Sequence, residues 1–178
     1  MIESMPRLET NNSRVISRDS HEEHVIFMNI ANQYAKFSKC QSKRVGCVIV
    51  KDRVIISTGC NGTPAGAINC CDIFEASKMS DPEYRKLHHE FSNSMECHAE
   101  QNAIAKAARF GNPINGAVFY VSMKPCEQCL KLIANLNVKQ IYYSSEYDKF
   151  IEYSPEVNKM ISQLGIQITK INIPDPVI

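Results

Sequence analysis

The chain has 178 residues, 44% of them hydrophobic and 22% charged, enough to bury a core without staples, which excludes a disordered or collagen-like polymer. Lys and Arg total 20 against 19 Asp and Glu, a formal charge of +1, so no global field grips a polyanion such as tRNA or duplex DNA. With no Trp, 8% aromatic residues and no apolar run of membrane-spanning length, neither a stacking platform for single strands nor a bilayer span is expected.

Residues 1–19 lack periodicity and are expected to be a loose arm, leaving 20–178 as one domain. That arm also lacks the apolar stretch of a secretory signal, so a cytoplasmic location is expected. Ser20-His21-Glu22-Glu23 has capping-box form, and Val25, Met28, Ala31, Tyr34 and Ala35 recur at helical spacing, predicting a helix to about Phe37. Two β-branched runs, Val45 to Val50 and Val54 to Thr58, flank Lys51-Asp52-Arg53 and read as an antiparallel hairpin. Asn61-Gly62-Thr63-Pro64-Ala65-Gly66 then breaks regular structure. The stretch from about 64 to 95 is polar and irregular and reads as an insertion, too long to go unanchored.

His98 to Phe110 is alanine-rich and stops at Gly111, the pattern of a buried helix. A strand is expected over Ala117 to Met123, a helix over Cys126 to Leu136, a strand over Val138 to Ser144, a helix over Pro155 to Leu164 and a last strand over Ile166 to Ile173. Strands alternating with helices imply parallel pairing through right-handed crossovers, while the first hairpin is antiparallel. The expected fold is α/β, a three-layer α/β/α sandwich around a mixed five-stranded sheet.

Eight cysteines in a chain without an export signal, two of them adjacent at Cys70 and Cys71, favour metal binding over disulfides. The strongest pattern is His98-Ala99-Glu100 followed, one helix and one strand later, by Pro125-Cys126-Glu127-Gln128-Cys129. Two cysteines spaced C-x-x-C on the first turn of a helix can point at one ion, and the helix N-terminus favours the thiolates that zinc requires. With His98 they make three protein ligands, which leaves a fourth position for water. Glu100 is close to that water without being a ligand and is the candidate proton shuttle. A redox dithiol or a structural zinc knuckle is the bland alternative for C-x-x-C, and a hydrogen-bonded core imidazole for His98. Cys97 reads as a packed thiol, because consecutive helical side chains diverge.

The H-x-E and P-C-x-x-C pair is the signature of zinc-dependent nucleobase deaminases. Taken with Gly59-Cys60-Asn61-Gly62-Thr63-Pro64-Ala65-Gly66 and Cys97-His98-Ala99-Glu100-Gln101-Asn102-Ala103-Ile104, it makes roughly residues 24–173 resemble the deoxycytidylate (dCMP) deaminases, especially phage-encoded ones. The resemblance implies a cytidine-deaminase-like fold and hydrolytic conversion of dCMP to dUMP and ammonia, feeding thymidylate synthesis. It further implies a zinc-activated hydroxide on His98, Cys126 and Cys129, with Glu100 moving protons. A hexamer is implied too, activated by dCTP and inhibited by dTTP, with magnesium accompanying the effector. Asn61 would bond the deoxyribose, the Ala99 N–H the pyrimidine carbonyl, and Tyr147 of Tyr147-Asp148-Lys149 would pack near substrate. Its alternative is a loop aromatic covering the sheet edge.

For the 5′-phosphate, Ser42-Lys43-Arg44 offers a guanidinium fork and an ammonium, with Arg44 the preferred member and a solvated basic turn the alternative. Some phage members hold an extra zinc, and the matching positions here are Cys40, Cys70, His88 and Glu96, with Cys71 and His89 as substitutes; buried thiols beside a solvated surface are the alternative. Cys60, where an aromatic residue is common, and Gln101, where leucine is usual, depart from the family. They leave open a 5-substituted dCMP or a triphosphate such as dCTP as substrate, while cytidine or tRNA adenosine is the rival substrate of enzymes that share the zinc motif. A non-catalytic zinc-stabilised binding module is the reading from another class.

Overall fold

The structure is a computed structural model that describes residues 21–147 and 152–173. The 1–19 arm and the Ser20 cap lie outside the described residues. Helix α1 (His21–Ala35) leads to the hairpin β1 (Gly46–Lys51) and β2 (Val54–Cys60). A short α2 (Cys70–Ile73), a 3-10 turn (Ala76–Lys78) and α3 (Pro82–Met95) follow, then α4 (Ala99–Phe110), β3 (Val118–Met123), α5 (Glu127–Ala134), β4 (Gln140–Ser145), α6 (Pro155–Leu164) and β5 (Gln167–Lys170). The strands form one mixed sheet in the order β2-β1-β3-β4-β5. As expected, β1 pairs antiparallel with β2, and β3, β4 and β5 run parallel. The added pairing of β1 with β3 is antiparallel, with Cys47 opposite Val121 and Ile49 opposite Phe119.

The two-residue side-chain period of a strand sorts the core into two layers. Cys47 and Ile49 of β1, Phe119 and Val121 of β3 and Ile141 of β4 face Ala99, Ala103 and Ala107 of α4, Leu130 and Ile133 of α5 and Val157 of α6. Val48, Val50 and Tyr120 point the other way, onto Phe27, Met28 and Ala31 of α1. Alanines on α4 are what let that helix lie close to the sheet. At Gly59 of β2 a Cβ would collide with the Ala99 carbonyl and the backbone of Ala103, so only glycine fits there.

The segment 64–95 departs from the irregular insertion expected. It contains a 14-residue helix, α3, capped by Asp81, which accepts a 2.9 Å bond from the Tyr84 N–H, and opened by Pro82. His88 is the only residue of α3 that is fully buried, so the apolar periodicity that announces a helix is nearly missing. α3 rests instead on a satellite cluster: Cys40, Cys70 and Phe74 with Met79, Tyr84 and Phe91. Helix α1 is two residues shorter than expected. Lys36 and Phe37 close a turn onto the Gln33 and Tyr34 carbonyls.

Candidate active site

The register of β1 with β2 and β3 puts the start of β1, the end of β2 and the end of β3 at one edge of the layers, where α4 and α5 also begin. His98 is the N-cap of α4 and Cys126 the N-cap of α5, both in extended backbone. The His98 N–H donates to Gln101 Oε1 at 2.7 Å, fixing the imidazole's attachment point. His98 Nδ1 lies 3.4 Å from Cys126 Sγ and 3.3 Å from Cys129 Sγ. All three donor atoms fall within 4.8 Å of one another. Zn–S and Zn–N bonds of about 2.3 and 2.0 Å in a tetrahedron imply an N···S edge of about 3.5 Å, so this donor set fits a zinc ion.

Electrostatics agree with that donor set. A hydrogen bond from the Cys129 thiol holds Cys126 down at about 4, opposed by burial and helped by His98. Cys129 is pushed up because it keeps the shared proton and is itself buried. The hydrogen bond to Cys126 raises His98. Glu100, the second residue of α4 and only 3% exposed, is pushed up to about 7 by burial, against the pull of its own backbone N–H. A carboxyl in that range can both accept and release a proton near neutrality.

A second cluster stands across the cavity. Cys40, Cys70 and His88 are buried with their donor atoms within 4.8 Å of one another, Cys40 Sγ 3.5 Å from His88 Nε2. Burial raises the Cys40 thiol, pushes Cys70 up to about 12 and lowers His88. Glu96 is outside the three-donor group but carries charge toward all three of its members and toward His98. Its Oε2 accepts from Ser92 at 2.7 Å, whereas its Oε1 is buried with no hydrogen-bond partner. Two desolvated thiols, an imidazole and an unsatisfied buried carboxylate oxygen fit a cation.

A cavity of about 840 Å³ joins the two clusters. Asn61, Ala99 and Tyr147 line it. Asn61 is already engaged, accepting from the Val45 N–H at 2.8 Å and donating to the Lys43 carbonyl at 3.0 Å, which shapes the 43–45 turn. Ala99 is the first residue of α4, so its N–H belongs to the helix's unpaired first turn. Burial pushes the Tyr147 hydroxyl up to about 12; Asp148 and Lys149 of its motif are outside the described residues. Arg44 is not among the residues brought together. It is exposed, and its Nε donates to the Cys40 carbonyl at 3.4 Å, while Ser42 and Lys43 beside it do line the cavity. Cys97 pairs its backbone with Gly62 and is not in either donor group.

Sequence reasoning missed Arg85 and Lys86 on α3, Lys124 after β3, and Tyr153, whose hydroxyl donates to the Pro125 carbonyl at 2.9 Å. Only the Asp81-Pro82 helix start could have pointed to the first two.

Residues 21–145 match the family model described as the cytidine and deoxycytidylate deaminase zinc-binding region. The deoxycytidylate deaminase of Enterobacteria phage T4 is 37% identical over 174 residues, covering 83% of this chain and 88% of that protein. The ComE operon protein 2 of Bacillus subtilis is 31% identical over 152 residues, covering 85% and 72%. The crystal structure of dCMP deaminase from the cyanophage S-TIM5 in complex with dCMP and dUMP superposes with a TM-score of 0.65 at 30% identity, covering 85% of this chain and 98% of that one. With the family model spanning most of its length, this chain belongs to the cytidine and deoxycytidylate deaminase family.

Proposed function

We propose that this protein hydrolyses dCMP to dUMP and ammonia, supplying dUMP for thymidylate synthesis. The observation that carries the reading is the buried Glu100 carboxyl beside the His98, Cys126 and Cys129 donor set. A zinc ion held by those three residues would supply a Lewis acid and an acidified water. Glu100 accepts a proton from the attacking water and delivers it to N3 of the pyrimidine, then takes the remaining proton from the hydroxyl added at C4 and passes it to the amine as the C4–N bond breaks. Water and dCMP go in, ammonia and dUMP come out, and the carboxyl returns to its starting state. The Ala99 N–H donates to the pyrimidine carbonyl, Asn61 uses its remaining amide N–H on the deoxyribose, and Tyr147 packs on the base.

In the same reading Cys40, Cys70 and His88, with Glu96 as the fourth donor, hold a structural zinc that anchors α3. The relatives named above support the substrate. Control by dCTP and dTTP with magnesium, a hexameric assembly, a host-cytoplasmic setting and a single domain over 20–178 complete the proposal. No described helix is long and apolar enough to cross a membrane.

The test is ammonia release from dCMP, cytidine, dCTP and a tRNA anticodon hairpin by the zinc-loaded protein. Turnover of dCMP well above the others is the expected result. An inert dCMP, even with dCTP and magnesium present, would overturn the assignment.

A further inference from the structure

The three donors at the active site are held in different ways. His98 is fixed within α4, where its N–H donates to Gln101 at 2.7 Å, and Cys129 is the third residue of α5. Cys126 stands in front of α5 as its N-cap, with its thiol spent on the donor set. Its carbonyl accepts from the Leu130 N–H at 2.9 Å, which fixes the peptide behind it. The peptide in front of it begins at Pro125. Proline has no N–H, so the Pro125 carbonyl is the one backbone group by which that residue can be held.

Tyr153 supplies the hold. Its hydroxyl donates to the Pro125 carbonyl at 2.9 Å, across 28 residues of chain. The tyrosine is itself anchored: it packs against the principal core, Lys124 Nζ lies 4.7 Å over its ring, and its carbonyl accepts from Asn158 of α6 at 2.9 Å. Next to it the Ser154 N–H donates to Glu127 Oε1, and Ser154 Oγ caps α6 by accepting from the Val157 N–H. The start of α6 is thus clamped to the start of α5 on either side of Cys126. On the strand side the Lys124 N–H donates to the Ser145 carbonyl at 2.8 Å. Tyr153 lines the cavity, but its one hydroxyl proton is already given to Pro125, so its part is to place a neighbour rather than to hold a nucleotide.

We infer that Tyr153 is a positioning residue for the metal centre: by holding the Pro125 carbonyl it fixes the Cys126 sulfur against His98 and Cys129, and so slows the release of zinc from that site. The inference rests on the zinc-dependent reading above. Groups that orient a metal ligand from behind change metal affinity about 10- to 100-fold when removed.

Tyr153→Phe deletes the hydroxyl and keeps the ring. Zinc transfer to a chromophoric chelator is followed for the intact zinc-loaded parent, Tyr153→Phe and Cys126→Ser, the last identifying by its absence the phase that belongs to this site. In Tyr153→Phe that phase should run about 10-fold faster, while release from the Cys40, Cys70 and His88 cluster keeps its rate. With cobalt(II) in place of zinc, the visible bands, which report donor geometry, should shift. Val138→Ala, a core truncation away from the Pro125 turn, should lower Tm and leave the phase unchanged, which separates positioning from lost stability. A parent-like release rate in Tyr153→Phe, unshifted cobalt bands, or an equal acceleration in Val138→Ala each overturn the inference. Neither metal readout involves dCMP, so an inert substrate panel sinks the substrate assignment alone, whereas a parent that takes up no zinc at this site overturns both.

Discussion

Glu100 shows how position, rather than residue type, makes a proton carrier. The N-cap at His98 turns the chain so that the second residue of α4 is buried beside the metal donors, and burial, helped by the charge of Cys126, raises the carboxyl into the working range. Glu100→Gln keeps the shape and loses the proton, so kcat should fall about 10²- to 10⁴-fold with zinc content unchanged; steady-state turnover and metal analysis check it. Gln101 acts one step further back. Its side chain holds the His98 N–H, so Gln101→Leu should cost about 1 kcal/mol, read by urea denaturation, and should weaken zinc retention under chelator. Both residues stood out in the sequence, Glu100 through H-x-E and Gln101 only as a departure; that the departure closes a cap was invisible until the helix start was placed. Arg44 went the other way. Its charge was legible, but a charge carries no direction until the turn pinned by Asn61 sends it outward.

At the scale of elements, α4 and α3 follow opposite rules. α4 is specified by small residues that permit close approach, and β2 answers with Gly59. Gly59→Ala would press a methyl group into the Ala99 and Ala103 backbone, costing about 1–3 kcal/mol, which thermal melting would register as a lower Tm. α3 is held through a single buried residue, His88, and the aromatic cluster around Phe74. His88→Ala should therefore loosen the helix as a unit: amide exchange over 82–95 should rise, and KM for dCMP should rise by a larger factor than kcat falls. Unchanged exchange there would count against the anchoring role. This helix was the main element hidden from sequence reasoning, since a helix that faces a small polar-lined cluster instead of the sheet shows no apolar stripe.

For the whole molecule, the sheet sets stability and the gap beside it sets chemistry. Phe119 is fully buried in the principal core while Phe37 is 69% exposed. Phe119→Ala should lower unfolding free energy by about 3–5 kcal/mol, against less than about 0.5 kcal/mol for Phe37→Ala, in chemical denaturation. Metal analysis of the intact chain should find two zinc ions, with Cys70→Ser losing one and Cys126→Ser the other. The amino-acid sequence by itself determined the strands, their parallel or antiparallel sense and the His98, Cys126 and Cys129 ligand pattern, because period-two and period-3.6 burial and C-x-x-C spacing are local properties of the chain; the Cys40, Cys70, His88 and Glu96 set followed only from the resemblance to a family. Only the tertiary structure decided that the two clusters share one cavity, that α3 forms its wall and that Arg85 rather than Arg44 looks into it. Those facts depend on how distant segments are oriented, and orientation is fixed by packing against partners far away in the chain.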